Sequence, residues 1–254
     1  MKLTITSALP DPSIAHFVHS FWMVENASGK DVPSTVLPNG MVDLILMQTH
    51  PGKWAIVMRG IDTRPSQVTI KTDTKVFSIG FKLLAVEYLF GHSINDVLNK
   101  ERSITDEFWQ FDERDLNHLK SFCRKATQKI RAISPHDIDS RKKKLFDFIY
   151  TTNGSMTVKE LSEKVYWSSR QINRYFHQQF GIALKTYCSI LRFGASLRHI
   201  SEGKFSPERN FTDQNHFIKE VKKYAGVTPK KLNKNEDDLF IDMTAIQKLP
   251  SQNG

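Results

Sequence analysis

The first third of the chain carries apolar residues in the short runs and alternations that are typical of β-strands. Residues 17–24 are apolar and aromatic, and a Pro38-Asn39-Gly40 turn signal comes just before the apolar run 42–47. Because the pattern repeats, we predict a β-rich N-terminal region. Further strand-like segments lie at 54–58, 67–72 and 76–81.

From Leu83 onward the apolar spacing lengthens to that of helices. Leu84 and Tyr88 before Gly91 predict a short helix, and residues 113–132 predict a longer one. The expected buried side of the longer helix is Leu116, Leu119, Phe122 or Cys123, and Ala126. Three further expectations are a helix capped by Ser93 or Asn95 and running toward Asn99, a helix from Thr105 through Phe108 and Trp109, and a linker over 133–140.

The strongest local pattern is a pair of short helices around a tight turn, at residues 157–180. Thr157 followed by Glu160 forms a capping box, and Ser168 followed by Gln171 repeats the signal. Gly181 stands where a left-handed glycine would end the second helix. Apolar residues share one face of each helix: Val158, Leu161 and Val165 on the first, and Ile172, Phe176 and Phe180 on the second.

The opposite face of the second helix is polar and basic. Arginine pairs bidentately with guanine and asparagine with adenine, and a helix-turn-helix presents such a face to the major groove. An ordinary solvated helix hairpin explains the spacing equally well at this point. The candidate DNA-binding residues on this face are Ser169, Arg170, Asn173, Arg174 and His177.

Charge is distributed unevenly in a chain whose net charge is +9. Residues 141–234 hold 19 Lys and Arg against 7 Asp and Glu, a net +12, whereas the other residues hold 17 against 20, a net −3. This segregation favours a nucleic-acid partner over a solubility role, and it leaves a membrane-surface role open. The basic run 141–144, which opens a helix at 145–150, fits phosphate contact slightly better than simple solvation.

Length and composition place the chain among ordinary globular proteins. Its 254 residues, 39% hydrophobic and 25% charged, give room for two domains and a sizeable core. Cys123 and Cys188 are the only cysteines, which argues against a disulfide framework and fits a reducing compartment. We find no signal-peptide pattern and no apolar run of membrane-spanning length, so we expect a soluble, cytoplasmic protein.

Residues that could support catalysis or metal binding do not form a convincing motif. His16 and His19 have ligand-like spacing without a supporting cluster, and Cys188 fits a small core residue better than a nucleophile. The sequence lacks the common nucleophile-elbow, P-loop and dinucleotide motifs. We therefore expect no enzyme, no catalytic residue, no metal and no cofactor. Three aromatic residues that fit a core better than a pocket are Trp22, Trp54 and Phe81.

Beyond Gly181 further motifs follow the helix pair, and together they resemble the AraC/XylS family of bacterial transcription regulators. The resemblance is specific because the pieces occur in the family's order. The matching residues are Leu161 with its helix, Ser168, Gln171, Ile172, Arg174, Phe176, Phe180-Gly181, Tyr187, Leu191-Arg192, Asp213-Gln214, His216-Phe217 and Gly226-Val227-Thr228-Pro229.

The resemblance implies two helix-turn-helix units joined by a long helix, so that one chain reads two successive major-groove segments. The reading helices would be 168–180 and 213–225, and the joining helix would be 184–201. The buried face of the joining helix would include Leu184, Tyr187, Leu191 and Ala195.

The same resemblance implies the orientation of the second reading helix. Asp213 would cap it, and Thr228 with Pro229 would open a final helix. Its inward residues would be Phe217, Val221 and Tyr224. Its DNA-binding residues would be Gln214, Asn215, Ile218, Lys219 and Lys222.

Two departures from the family pattern stand out. Residues 203–210 replace a full positioning helix, and Pro207 disfavours helix just before it, so we expect a truncated second unit with Asn210 at the glycine-like turn. Ser162 and Tyr166 stand where the family prefers alanine and often glycine. Tyr166 must therefore avoid a positive φ or accept strain.

The N-terminal half carries a second, shorter resemblance. Residues 37–47 and 79–91 are similar to a small β-rich domain often fused to AraC-type modules, which implies a sensor or dimerisation role. We therefore predict an α+β protein: a β-rich, barrel-like or sandwich domain over 1–110, a helix and linker over 111–140, an all-α DNA-binding domain over 141–234, and a poorly ordered tail over 235–254.

The partners expected from these resemblances begin with double-stranded DNA. A small-molecule effector, a protein partner or a second copy of the chain at the N-terminal domain remain open, and no membrane partner is expected. The alternative is a small-molecule-binding or enzymatic N-terminal module with a basic accessory C-terminal half. The sequence names neither the effector nor the operator, and it leaves activation and repression open.

Overall fold

The computed structural model describes residues 3–50, 53–105, 107, 109–133, 137–206 and 213–248, with strands in the N-terminal region and mainly helices after it. This arrangement confirms the α+β class. The strands are β1 (Thr4–Ala8), β2 (Val18–Asn26), β3 (Val32–Val36), β4 (Val42–His50), β5 (Lys53–Arg59), β6 (Ser66–Ile70), β7 (Thr74–Phe81) and β8 (Glu101–Ile104). The helices are α1 (Leu84–Tyr88), α2 (Leu119–Ile133), α3 (Ser140–Thr151), α4 (Val158–Val165), α5 (Ser169–Phe180), α6 (Leu184–Ser201), α7 (Gln214–Ala225), α8 (Pro229–Lys234) and α9 (Ile241–Lys248).

Six strands form an antiparallel sheet in the order β1-β2-β7-β4-β5-β8. Side chains alternate between its two faces, as the period of a strand requires. One face packs on α2, where the Phe122 ring lies 6.1 Å from that of Phe21 and 5.1 Å from that of Phe77, centroid to centroid. The opposite face of the sheet therefore packs against other elements.

A two-stranded antiparallel ribbon, β3 and β6, covers that opposite face. Val24 of the sheet is buried with Val32 and Ile70 of the ribbon, and Ile241 of α9 packs against this cluster. The strands thus form two layers with a space between them, which agrees with the sandwich-like arrangement expected from the sequence.

The helices after residue 140 assemble around α6. This helix contacts α5, α7, α8 and α9, and the rings of Phe193 on α6 and Tyr224 on α7 lie 5.4 Å apart. Tyr187 and Phe193 are fully buried, whereas Ala195, expected on the buried face, is only half-buried. Within the described part of the chain, no helix combines the length and apolar character needed to cross a membrane.

Several sequence expectations differ from the structure. The expected helix from 93 to 99 is a single 3₁₀ turn, Asn95–Val97, and α2 begins at Leu119 rather than at 113. Residues 105, 107 and 109 are not helical, and Phe108 lies outside the described residues. Strands β1, β3 and β8 are short and rich in polar residues, so their apolar pattern was too weak to predict them.

The largest correction concerns the tail. The expectation of poor order after Lys234 is wrong for 235–248, because α9 forms there and returns to the N-terminal domain. The N–H of Thr35 donates to the Leu239 carbonyl at 2.6 Å, and the N–H of Leu37 donates to Asp242 Oδ2 at 2.8 Å. Phe240 and Met243 are buried. The acidic residues 236–238 just before α9 made the helix hard to predict, although half of its eight residues are apolar.

Candidate nucleic-acid interface and buried cavity

Helices α4 and α5 begin at the two capping boxes predicted from the sequence. The N–H of Glu160 donates to Thr157 Oγ1 at 3.2 Å, and the N–H of Thr157 donates to the Glu160 carboxylate at 2.7 Å. This N–H bond lowers the pKa of Glu160. Ser168 and Gln171 make the same reciprocal pair at 3.3 and 3.0 Å. Both boxes are therefore confirmed, and they fix where the second helix starts.

From the sequence, Tyr166 in the turn between these helices had either to avoid a positive φ or to accept backbone strain. The structure shows the strained conformation. Tyr166 adopts the left-handed conformation, with φ 52° and ψ 41°, and its N–H bonds to the Ser162 carbonyl. Its side chain is 91% exposed. Because the ring makes little packing contact, the residue contributes to the turn through its backbone alone.

The two faces of α5 divide as expected. Ile172, Phe176 and Phe180 are fully buried, and Gly181 ends the helix with φ 69°. Tyr175 is also buried, which the sequence reading missed although it follows Ile172 by three residues. The exposed basic residues on the other side are Arg170, Arg174 and His177.

Two of the predicted contact residues on α5 are less available. Ser169 and Asn173 are half-buried, and the Asn173 amide donates to the Ser169 carbonyl at 2.9 Å. An asparagine that reads adenine needs both its donor and its acceptor free. This bond occupies one of the two amide hydrogens of Asn173, so only the other hydrogen is free to donate to a base.

Helix α7 presents a comparable surface. The N–H of His216 donates to Asp213 Oδ1 at 2.8 Å, which confirms the predicted cap. Phe217, Val221 and Tyr224 are buried as expected, and the Thr228 cap of α8 is also present. The exposed candidates are Gln214, Asn215, Lys219 and Lys222.

Two candidates on α7 have other contacts. Gln214 Nε2 donates to the Phe205 carbonyl at 2.6 Å, and Ile218 is half-buried against the core. The Gln214 amide nitrogen thus links α7 to the preceding turn. Ile218 is placed to support the helix more than to project from it.

The connection into α7 is described only in part. Helix α6 ends at Ser201, Gly203 has φ 76°, and residues 204–206 are not helical. Pro207, Asn210 and the rest of 207–212 lie outside the described residues. The truncated positioning helix therefore stays a prediction.

The basic run 141–144 lies in the first turns of α3. Lys142 forms an ion pair with Glu87 of α1, and Arg141 pairs with Asp139 at 3.1 Å. Lys143 and Lys144 are exposed. Lys142 is therefore occupied by a contact with the N-terminal domain, a correction to the expectation that the whole run contacts phosphate.

The N-terminal domain holds the end of α5 directly. Tyr175 Oη donates to Glu87 Oε2 at 2.9 Å, and burial raises the pKa of Tyr175. Ser93 Oγ donates to the Gln178 carbonyl at 2.7 Å, and the N–H of Ile94 donates to the Gln179 carbonyl at 2.9 Å. These donors satisfy carbonyl groups that the end of a helix leaves free.

A chain of two tyrosine hydroxyls makes a second link. The N–H of Leu83 donates to Tyr150 Oη at 2.9 Å, and Tyr150 Oη lies 2.7 Å from Tyr187 Oη. Tyr187 Oη donates to the Gly40 carbonyl at 3.0 Å. Gly40 has φ 78°, a conformation that favours glycine, and a Cβ there would lie 2.8 Å from Leu191 Cδ2 of α6.

A cavity of about 600 Å³ lies between the six-stranded sheet, the β3–β6 ribbon and α9. Trp22 lines it, which corrects the expectation that this aromatic residue belongs to the core, whereas Trp54 and Phe81 do pack in the core. Most of the wall is apolar. Representative residues are Met41, Ile45, Val57, Val68 and Ile241.

Six ionisable side chains also line this cavity: Asp43, Arg59 and Asp242, with Lys71, Lys100 and Glu101. Arg59 Nε lies 2.7 Å from Asp62 Oδ2. Burial raises the pKa of Asp43 to about 7 and that of Asp242 to about 6. The lone carboxylate in the apolar run 42–47 was the sequence signal for this site.

The sequence also raised Cys188 as a nucleophile and metal binding as candidate chemistry. Cys188 is buried, and burial raises the pKa of its thiol to about 12, as fits a core residue. In the part of the chain that the structure describes, no group of three or more His, Cys, Asp or Glu is arranged to hold a metal ion.

Comparison with known proteins yields one family match. Residues 6–103 match a domain of unknown function, DUF6597. No curated protein matches the chain.

Among solved structures, the chain is similar to ToxT from Vibrio cholerae. One ToxT structure, in the P21 form, is 10% identical with a TM-score of 0.43, covering 92% of this chain and 97% of that chain. ToxT of Vibrio cholerae O395 bound to (E)-4-(8-methylnaphthalen-1-yl)but-3-enoic acid is 10% identical with a TM-score of 0.42, covering 92% and 98%. Wild-type ToxT of strain SCE256 bound to an unsaturated fatty acid is 8% identical with a TM-score of 0.38, covering 90% and 93%. These values are too low to assign a function.

Proposed function

We propose that this protein is a sequence-specific DNA-binding transcription regulator of the AraC/XylS type. Helices α5 and α7 read the major groove, and the N-terminal domain regulates them by binding a small molecule in its cavity. Residues 141–234 form the DNA-binding domain and residues 1–110 the sensor domain. Residues 111–140 connect them, and 235–248 complete the sensor.

The observation that carries this proposal is the exposed face of α5. Arg170, Arg174 and His177 are exposed on a helix whose opposite face is buried and whose start is fixed by a capping box. The surrounding segment, residues 141–234, holds a net charge of +12. A rigid helix with a basic outer face is what major-groove reading requires. Helix α7 supports the proposal with exposed Asn215, Lys219 and Lys222.

The contacts between the domains support regulation through the cavity. Ser93 and Ile94 hold the end of α5, and the same segment continues into Asn99, Lys100 and Glu101, which line the cavity. On the other side, α9 lines the cavity and packs on α6. A molecule in the cavity can therefore bias the position of both reading helices if it favours one arrangement of these segments.

The test is selection of binding sites from a random pool of double-stranded DNA by the purified full-length protein. We expect a defined motif to be enriched. If both helices read bases, the motif has two parts about 10–10.5 bp apart, one turn of the double helix. If only α5 reads bases, one part is enriched. Bound DNA that is no different in sequence from the starting pool contradicts the proposal.

The cavity also favours a second function, a small-molecule-binding module in which the basic half is accessory. The same selection separates the two. A protein that binds small molecules but enriches no DNA motif belongs to this second class.

A further inference from the structure

We propose that the cavity binds an apolar molecule bearing a protonated amine, with its ammonium group held by Asp43 and Asp242. This inference rests on the proposed role of the cavity as the effector site, and it names the chemical class of the effector. Asp43 lies on β4 and Asp242 on α9, so the amine would join the sheet to the last helix of the described chain.

The charged groups of the wall are unevenly paired. Arg59 is already paired with Asp62 at 2.7 Å, and their side chains are only 13% and 9% exposed. Asp43 accepts from the Ser78 hydroxyl at 3.3 Å, and Asp242 accepts from the Leu37 N–H at 2.8 Å. Arg59 stands opposite Asp43 on the neighbouring strand, and its charge lowers the pKa of both carboxyls against the larger effect of burial. Among the described residues, however, neither carboxyl has a cation within ion-pair distance. A cationic ligand would supply the missing partner.

Without a ligand, the environment of the two carboxyls favours their neutral form. Burial raises the pKa of Asp43 to about 7 and that of Asp242 to about 6, and the charge of Asp242 adds to the shift at Asp43. Each carboxyl is therefore costly to ionise where it stands. An ammonium group stabilises the ionised form, so binding would remove this cost and release protons.

At pH 8, where both carboxyls are mostly ionised, the wall disfavours an anionic ligand. A carboxylate in the cavity would meet two carboxyls, and the one guanidinium there, Arg59, is already paired with Asp62 and faces both of these carboxyls. The lysines in the wall do not change this balance: Lys71 is paired with Asp31 at 2.8 Å, and Lys100 is exposed beside Glu101. Like charges at close range in a buried site are strongly unfavourable.

The rest of the wall suits an apolar body. Ile45 and Met47 lie on the same face of β4 as Asp43, and Trp22 lines the wall from β2.

The experiment is calorimetric titration of the full-length protein at pH 8 with three matched probes: 4-phenylbutylamine, 4-phenylbutan-1-ol and 4-phenylbutanoate. We expect the amine to bind at least tenfold more tightly than the alcohol, and the carboxylate to bind most weakly. Equal or tighter binding of the alcohol or the carboxylate overturns the proposal, and so does a failure of the amine to bind.

Two variants locate the ammonium group. Asp43→Asn and Asp242→Asn each keep the shape and a hydrogen-bond acceptor, and we expect each to weaken amine binding about tenfold or more with alcohol binding unchanged. The control is Glu113→Gln, which removes a carboxylate from an exposed position outside the cavity and should leave amine binding unchanged. Amine affinity that is the same in both cavity variants as in the natural protein overturns the assignment.

Amine affinity can also be measured as a function of pH on the unaltered protein, a test that does not depend on the folding of any variant. The groups that act on the site are Asp43, Asp242, Arg59 and Asp62, with Lys71, Lys100 and Glu101 at the rim. As pH rises from 5.5 to 8 the two carboxyls ionise while an alkylamine stays protonated, so affinity should rise. A constant or falling affinity overturns the proposal.

Failure of this inference can be told from failure of the proposed function, because the titrations contain no DNA. If the protein prefers the amine but enriches no DNA motif, the amine site is supported and the proposed regulatory function is contradicted. A protein that enriches a motif without preferring the amine keeps the regulatory role and loses this ligand class.

Discussion

Two arginines, Arg170 and Arg174, stand one helical turn apart on the exposed face of α5. Arg174 lies near the middle of the helix, where a long side chain can reach a base edge. We expect Arg174→Ala to weaken binding to the selected DNA site by about 1–3 kcal/mol and to relax specificity at one base position. Titration of the variant against sites that differ at single positions measures both effects.

A matched control for this change is Arg124→Ala, which removes the same charge from an exposed position on α2. It should leave DNA affinity nearly unchanged. If Arg174→Ala weakens binding equally to the selected site and to random DNA, Arg174 contacts phosphate and does not read a base.

Tyr166 offers a prediction about stability. It holds a left-handed conformation that glycine adopts at no steric cost, and its exposed ring contributes little packing. We expect Tyr166→Gly to raise the free energy of unfolding by about 0.5–1 kcal/mol, measured by urea denaturation. Tyr166→Ala keeps the Cβ and its strain, so it should show no such gain. A destabilised glycine variant would mean that the ring packs in solution.

At the scale of elements, features that depend on neighbouring residues could be predicted from the sequence, whereas contacts between distant residues could not. The caps of α4, α5 and α7 were predicted because the residues that form a cap lie within three positions of each other. Strand β3 pairs with β6, which lies about 30 residues further along the chain, and no local sequence pattern predicts that pairing. The candidate residues on α5 followed from helical period, whereas the cavity joins Asp43 and Asp242 from opposite ends of the chain, which no local pattern can show.

The two tyrosine hydroxyls that join α3 and α6 allow a test of the link between domains. Tyr150→Phe leaves the Leu83 N–H without its acceptor, and Tyr187→Phe leaves the Gly40 carbonyl without its donor. We expect each variant to lower the free energy of unfolding by about 1–2 kcal/mol. Because both changes delete the same Tyr150–Tyr187 bond, the double variant should lose less than the sum, with a coupling of at least about 0.5 kcal/mol.

The control for this cycle is Tyr88→Phe with Tyr187→Phe. Tyr88 accepts from the Asp139 N–H at 2.9 Å, a separate hydrogen bond, so these two losses should add. Additive losses for Tyr150 and Tyr187 in urea denaturation would show that their bond does not form in solution.

At the scale of the whole molecule, the basic surplus of 141–234 predicts how affinity depends on salt. Lys222 is exposed on α7 and suits a phosphate contact. We expect Lys222→Ala to weaken binding to every DNA sequence and to flatten the slope of log affinity against log salt by about 0.9. Binding measured at several salt concentrations gives the slope.

Lys120→Ala, at an exposed position on α2, removes the same charge outside the basic segment and should leave the slope as it is. A slope unchanged by Lys222→Ala would place that lysine away from the DNA.

Helix α9 bears on how the molecule can be dissected. A fragment ending near residue 140 would leave the N–H groups of Thr35 and Leu37 without their acceptors and the cavity without one wall. A fragment limited to 141–234 would expose the side of α6 on which α9 packs. Isolated halves are therefore unsuitable for testing the proposed ligand binding and DNA binding, and both tests call for the uncut chain.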